Sequence, residues 1–457
     1  MKHSKINATI LLAVIFGFAG IIQAESRALR AGAAMRIVNP RKPATPVGDD
    51  TTIRYLDVHA DLRVQAMVIE DEAGNRIVWM GWDFIDAHHL VVDRVKEIVH
   101  EKFHIAPEAF CINSSHTHSA PPLLQQEAVS PDYFDPNYAD FVVNTAVAVV
   151  GDAINKLVPA KLQYCERMCT SVGINRRGPP TYSFKPNLEG PVDHRVQIVS
   201  ANSLTDGKLI AIVVKYACHP SVVGPTGLGS DYPGFMRRFV EKRHPGAIVI
   251  FLQGCGGNID CQIIDDDVTK FLGWSVERAK WFGQNLGMAV EWALNEQGTP
   301  ITGPIEVEYE VISLPLGKVP ARQYREAAGR GGYFGAWGKK FSAMLDRDEP
   351  IPTTWPYRIQ AFRLGSNSET PFTLVALQGE VFTEYGLHLA ERLKPANAIV
   401  LGYSNDATTY VPTSQAFKQG GYEIGAFTWW LVPGPYTTAV ESMVLEAATK
   451  LARPKTR

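Results

Sequence analysis

Two histidines separated by one residue, His116 and His118 in Ser114-Ser115-His116-Thr117-His118-Ser119, are the residues whose type and spacing first point to chemistry. In an extended backbone the side chains at i and i+2 leave the same face. Both imidazoles can therefore reach one metal ion, or one can hold the ion while the other meets a substrate. The alternative is a polar turn in which both rings bond locally. A third histidine, His219, stands in Ala217-Cys218-His219-Pro220-Ser221, and a carboxylate, Glu380, in Gln378-Gly379-Glu380. Tyr403-Ser404-Asn405-Asp406 is followed closely by Tyr410. Gln253-Gly254-Cys255-Gly256-Gly257-Asn258-Ile259-Asp260 supplies a glycine-rich turn, where backbone can approach a ligand closely or take a positive φ. No Lys-Ser/Thr follows these glycines, which excludes a phosphate-cradling loop.

These segments share a setting. Each follows a short apolar, β-branched run: residues 109–112, 209–216, 247–252, 372–377 and 398–401. Between the runs lie helical patterns, with Val92, Val95, Val99 and Phe103 on one face and Ala279, Phe282, Leu286 and Val290 on another. Strands alternating with helices predict an α/β fold with mixed, partly parallel sheets flanked by helices. Sites in such sheets sit outside the carboxyl ends of strands, which is where a metal site is expected here. Strict alternation at Ile305, Val307, Tyr309 and Val311 predicts an edge or antiparallel strand with one wet face. Residues 178–191 and 329–356 read as long surface loops, and no internal repeat is present.

Composition bounds the rest. The chain has 457 residues, 46% hydrophobic and 20% charged, which excludes disorder and fibrous repeats. A formal net charge of −2 gives no electrostatic reason to expect a nucleic-acid partner. Lys2 and Lys5 precede an apolar stretch from Ala8 to Ile22, and the chain turns polar at Glu25. That pattern predicts a signal peptide at 1–24, cleaved after about Ala24, with 25–457 as a single catalytic domain secreted or delivered to the periplasm. No later apolar run approaches the roughly 20 residues of a membrane span. Six cysteines are too sparse for a disulfide scaffold. Cys165 with Cys169, or Cys255 with Cys261, are candidate pairs as sequence neighbours, with connectivity open. His88, His89, His100 and His104 are expected to face solvent. Asp231 either caps a helix or buttresses His219. Asp265, Asp266 and Asp267 lack the spacing of a calcium loop. Trp429 and Trp430 are read as packing or a pocket wall, with a sugar-stacking platform as the alternative.

The segment SSHTHSAPP resembles the THTHSGP segment of the neutral/alkaline non-lysosomal ceramidases. YACHPS is similar to that family's second zinc-histidine segment, and QGE-VFTEYG to its GEFTT-like segment. YSNDATTYVPT with the later QGGYE is similar to NVYTHYITT with RYE, in the same order and with the same spacing between Tyr410 and Tyr422. The resemblance covers most of the chain after residue 30. It implies zinc ligands at His116, His219, Glu380 and Tyr410. It also implies a substrate contact at His118, an arginine for the substrate's polar head at Arg176, and a tyrosine serving the scissile carbonyl at Tyr422. The family's GDVSP turn appears here as Gly257-Asn258-Ile259-Asp260-Cys261, so Asp260 takes the position of the serine proposed as nucleophile. That departure leaves zinc-activated water as the attacker, with His118 or Asp260 moving the proton. The chain ends about 35 residues after Tyr422, so the family's C-terminal immunoglobulin-like domain is not expected.

The resemblance thus implies an exported, zinc-dependent amidohydrolase, nominally acting on N-acylsphingosine-type lipids. Two alternatives stay open: the same zinc site acting on a non-lipid amide, ester or glycoside, and a non-catalytic extracellular binding protein. A wide apolar groove leading to His116 would favour lipid, and a shallow polar pocket lined by Trp429 or Trp430 would favour sugar. A small-molecule or lipid substrate is the expected partner, and the sequence leaves the oligomeric state undefined.

Overall fold

The computed structural model describes residues 29–40, 58–124, 134–224 and 227–454. The expected signal peptide at 1–24 lies outside them. The β-branched runs are strands buried on both faces, which is why they read as continuous apolar stretches. Among the described residues, the larger sheet has nine strands. Its main path runs Ile248–Gln253, Leu209–Tyr216, Arg195–Ser203, Val158–Met168, Leu29–Ile37, Arg63–Glu70, Arg76–Trp82, Phe110–Ser114, and Thr299–Ile301 pairs with Val158–Met168. A four-stranded sheet runs Ile305–Pro315, Thr354–Leu364, Phe372–Leu377, Asn397–Leu401. Both are mixed. Ile248–Gln253 lies parallel to Leu209–Tyr216, Arg76–Trp82 to Phe110–Ser114, and Phe372–Leu377 to Asn397–Leu401, while most other neighbours are antiparallel. Ile305–Pro315 is an antiparallel edge strand, as its alternation predicts.

Side-chain alternation builds the layers. Val64, Ala66 and Val68 face one way, toward helices His89–Phe103 and Pro136–Asn155. Met67 and Ile69 face the other way, toward Phe372, Leu374, Ile399 and Leu401 of the smaller sheet. Ile212, Val214, Val249 and Phe251 meet helices Asp231–Glu241 and Val276–Leu294. Val375, Leu377 and Val400 meet helices Thr383–Arg392 and Val440–Ala452. The order is therefore helices, sheet, sheet, helices. In Val276–Leu294 the apolar face is Ala279, Phe282, Leu286 and Val290, all buried, and the Ser275 hydroxyl caps the start by accepting from Arg278 N.

Two expectations change. Residues 329–356 are not a loop: helix Gly332–Asp346 occupies most of the segment, burying Trp337 and Phe341 against Tyr324. The glycine and proline content obscured a short amphipathic helix. The six cysteines are free in the structure, and the closest thiols are Cys218 and Cys261, with sulfurs 3.4 Å apart, not either pair of sequence neighbours.

The two sheets meet at their carboxyl ends through isolated bridges, Asn113 with Ser404 and Gly254 with Leu401. One buried amide ties this junction. Asn113 Nδ2 donates to Gln253 O (3.2 Å), Gly402 O (2.8 Å) and Ser404 Oγ (3.1 Å), and its Oδ1 accepts from Gln253 N (2.7 Å). Asn113→Ala leaves buried donors and acceptors unpaired, each worth about 1–3 kcal/mol. It is expected to lower unfolding stability by about 3 kcal/mol in urea titration. A loss below about 1 kcal/mol would show that the strand ends are held by other contacts.

Candidate metal centre and its cavity

His116 follows the end of strand Phe110–Ser114, but not in extended backbone: its φ is +65°, a left-handed turn. The i, i+2 reading of the two histidines therefore fails in its geometry, yet both rings reach the same cavity, with centroids 5.0 Å apart. Tyr403, Asn405 and Thr409 also take positive φ at the neighbouring strand end. Non-glycine residues so placed cost of order 1–3 kcal/mol each and cluster at functional sites. The backbone N–H of His118 donates to Pro220 O (3.2 Å), which fastens the His116 segment to the His219 segment.

The imidazoles are oriented by backbone carbonyls. His116 Nδ1 lies 2.6 Å from Ile85 O, and His219 Nδ1 lies 2.9 Å from Gly256 O and 3.1 Å from Ile259 O. A carbonyl only accepts, so each Nδ1 carries its proton and each Nε2 points inward. Both Nε2 atoms face Glu380 Oε2, at 3.3 Å from His116 and 3.0 Å from His219. In neutral rings these three atoms all present lone pairs and require a cation between them, a proton or a metal ion. Burial opposes the charge on Glu380, but the facing rings hold its carboxyl far below the usual carboxylate range. Burial lowers His116, and Glu380 more than reverses this, leaving it above the ordinary imidazole value.

His118 joins the group more closely than its implied role as a substrate contact required. One ligand-capable nitrogen from each of His116, His118 and His219 lies within 4.8 Å of the others, a buried group able to hold a metal ion. His118 Nε2 is buried with no hydrogen-bond partner among the described residues. Burial, then the rings of His116 and His219, push its basicity well below the ordinary value.

Glu380 and Tyr410 are register partners in a short parallel pair, Glu380–Val381 with Tyr410–Val411. The glycine-rich turn serves this pair. A Cβ on Gly257 would fall 2.4 Å from Glu380 O, so the glycine admits neighbouring backbone, not a ligand. Arg176 leaves strand Gly173–Asn175, which pairs with Ile259–Cys261. Its guanidinium donates to Gly257 O (2.9 Å) and to the Tyr410 hydroxyl (3.0 Å), and lies 3.7 Å from Asp260. The Tyr410 and Tyr422 hydroxyls are 3.2 Å apart. Arg177 turns away from the cavity toward Glu423, with a 2.5 Å ion pair, and to Gly420 O. Asp260 accepts from the Ser221 hydroxyl (2.7 Å) and from Cys261 N (3.0 Å).

All eight sequence-derived site residues line one cavity of about 590 Å³. Its outer walls are Phe184, Ile263, Phe271, Leu272, Trp274, Trp429 and Trp430. It is thus a deep apolar cavity that also carries the tryptophans, joining both features set out above as discriminating. Sequence reasoning missed Glu423 and Asp86, and gave no role to Tyr403 or Ser221 although both stand in its candidate segments. Glu423 is wholly buried between the two arginines, and only the adjacent Arg176-Arg177 hinted at a buried acid. The Tyr403 ring lies 4.6 Å from that of His116, tilted by 38°, and its hydroxyl lies 3.5 Å from Glu380. Asp86 lines the cavity, burial pushing its carboxyl up to about 7 against the pull of His116. Asp231 supports the loop beside His219 by accepting from Val223 N and Tyr232 N, and makes no bond to that ring. His88 and His89 are half-buried and stacked, with His89 on Asp406, whereas His100 and His104 are exposed.

Residues 55–246 match the family model described as neutral/alkaline non-lysosomal ceramidase, N-terminal. The chain resembles the neutral/alkaline ceramidases. Its fold matches the crystal structure of neutral ceramidase from Pseudomonas aeruginosa with a TM-score of 0.72 at 16% identity, covering 94% of this chain and 76% of that one. A second structure, a ceramidase complexed with C2, gives a TM-score of 0.69 at 16% identity over 93% and 75%. At that identity the ceramidase likeness is one of fold. No curated protein matches the chain.

The donor set predicts metal binding without reference to turnover. The purified protein is expected to hold about one divalent ion per chain by elemental analysis, and His116→Ala or His219→Ala to hold almost none. Ligand nitrogens must be unprotonated, so lowering the pH expels the ion. Retention should fall as the pH drops below the ordinary imidazole range, about 6.5, where the ligand rings take up protons. Full occupancy in His219→Ala would remove that ring from the ligand set.

Proposed function

We propose that the chain is a zinc-dependent hydrolase that cleaves an N-acyl amide, with ceramide-like N-acyl sphingoid lipids as its nominal substrate, and that it acts after export. The observation that carries this reading is the meeting of ligand-capable His116, His219 and Glu380 with Arg176 and Tyr422 at the floor of one apolar cavity. His116, His219, Glu380 and Tyr410 would hold the ion. When bound, such an ion acidifies water and polarises a carbonyl. Tyr410 is the weakest member, because burial and the Glu380 carboxylate push its phenol well above the ordinary value.

The remaining chemistry belongs to side chains. The Tyr422 hydroxyl, oriented on Tyr410, and the Arg176 guanidinium donate to the carbonyl oxygen as it gains charge; one such donor is worth about 10²–10³ in rate. Glu423 keeps Arg176 fixed from behind. Of the two proton-moving candidates, His118 is the better placed. Its Nε2 is unpaired and its ring held neutral, whereas Asp260 already accepts from Ser221 and Cys261 N. Apolar walls exclude water and admit a long hydrocarbon chain. Trp429 and Trp430 on the same wall favour a second reading, a non-lipid amide, ester or glycoside at the same centre.

A screen of the zinc-loaded protein against N-acyl sphingoid lipids, N-acyl amino acids and glycosides tests the assignment. Release of free sphingoid amine is expected; hydrolysis of glycosides alone would overturn it. Tyr422→Phe should lower kcat by about 10²-fold with metal content unchanged. Wild-type turnover in that variant would remove Tyr422 from the reaction.

A further inference from the structure

The loop after Arg176 carries an aromatic side chain that the proposed reaction has not used. Phe184 is 56% exposed, and its backbone takes a left-handed φ of +41°, as does Tyr182 at +51°. An exposed bulky residue gains little by burial, so neither packing nor backbone preference explains its place. What it does have is a neighbour. The Phe184 ring lies 4.7 Å from the Tyr422 ring at an interplanar angle of 9°, a close parallel stack. Trp429 stacks on Tyr422 more loosely, at 5.8 Å and 26°. The Arg176 guanidinium sits 5.1 Å from the Phe184 ring centre and 5.3 Å from that of Tyr422.

The loop is fastened so that this stack is reproducible. Gly178 N donates to Lys185 O, and Lys185 N to Arg176 O, closing the loop back on Arg176 itself. Ser183 Oγ accepts from Tyr422 N (2.9 Å). Gly421 allows Tyr182 O to approach, since a Cβ there would lie 2.4 Å from that oxygen. The loop thus grips Tyr422 at its backbone through Ser183 and at its ring through Phe184.

We propose that Phe184 is a positioning residue for Tyr422: it holds the phenol ring over the Arg176 guanidinium so that its hydroxyl stays against that of Tyr410. The role rests on the amidohydrolase reading above, in which Tyr422 donates to the reacting carbonyl, and it acts through Tyr422, not through the substrate.

A double-mutant cycle in the full-length, metal-loaded protein reads this directly. Phe184→Ala should lower kcat about 10-fold with little change in KM or metal content, as expected when one aromatic pair no longer fixes the reacting ring. In a Tyr422→Phe background the same change should cost less than about 2-fold, because no hydroxyl is left to misplace. Phe184→Tyr, which keeps a flat ring, should restore turnover, and Phe184→Leu should not. Equal losses in both backgrounds, or rescue by leucine, would overturn the proposal. A readout without turnover separates it from the assigned reaction. With 3-fluorotyrosine placed at position 422, Phe184→Ala should shift the fluorine resonance through loss of the ring current. An unchanged resonance overturns the positioning role even if amides are hydrolysed; a shifted one upholds the stack even if they are not.

Discussion

Two imidazole nitrogens and one carboxylate oxygen face each other at about 3 Å, with the other nitrogen of each ring already bonded to main-chain carbonyls. With neutral rings and an ionised carboxyl, that arrangement brings lone pairs together with no donor between them. Like lone pairs at this range are tolerable only around a positive charge, so these three atoms could share a cation, a proton or a metal ion. The left-handed turn at His116 and the positive φ at Tyr403 and Thr409 lie at this same end of the fold, and strained backbone tends to cluster at functional sites.

Around this centre the charges are arranged in opposition. Arg176 and Arg177 are consecutive and both buried, which would be untenable without Glu423 between them. The pair of arginines separates in function: one guanidinium reaches the phenols of the cavity, the other anchors the turn at Gly420. Their shared carboxylate leaves Arg176 with donors directed inward and no freedom to swing toward solvent.

Much of this was legible in the sequence, and the reason is periodicity. The β-branched runs ending in His, Gly or Glu marked the strands of a mixed, partly parallel fold, since a short continuous apolar run bounded by turn residues suits a strand buried on both faces. Strict alternation at Ile305–Pro315 marked the edge strand. What escaped was whatever depends on contacts remote in the chain. Glu423 lies some 250 positions from the arginines it neutralises, and Ser221 meets Asp260 across two strands. The helix Gly332–Asp346 was hidden by glycines that are tolerated because neighbouring backbone packs against them, as at Gly338 on Ala327 and Ala328. The turn at 254–258 reads as a ligand cradle until one sees that its space is filled by the Glu380 main chain.

The layered architecture has a consequence for how the molecule comes apart. His116 and His219 extend from the nine-stranded sheet, and Glu380 and Tyr410 from the segments that cap the four-stranded one. An ion held as proposed, from both sides, would act as a rivet across the seam between the two sheets. Its binding free energy would then also be adhesion between the halves, and withdrawing it with a chelator would loosen the protein along that plane.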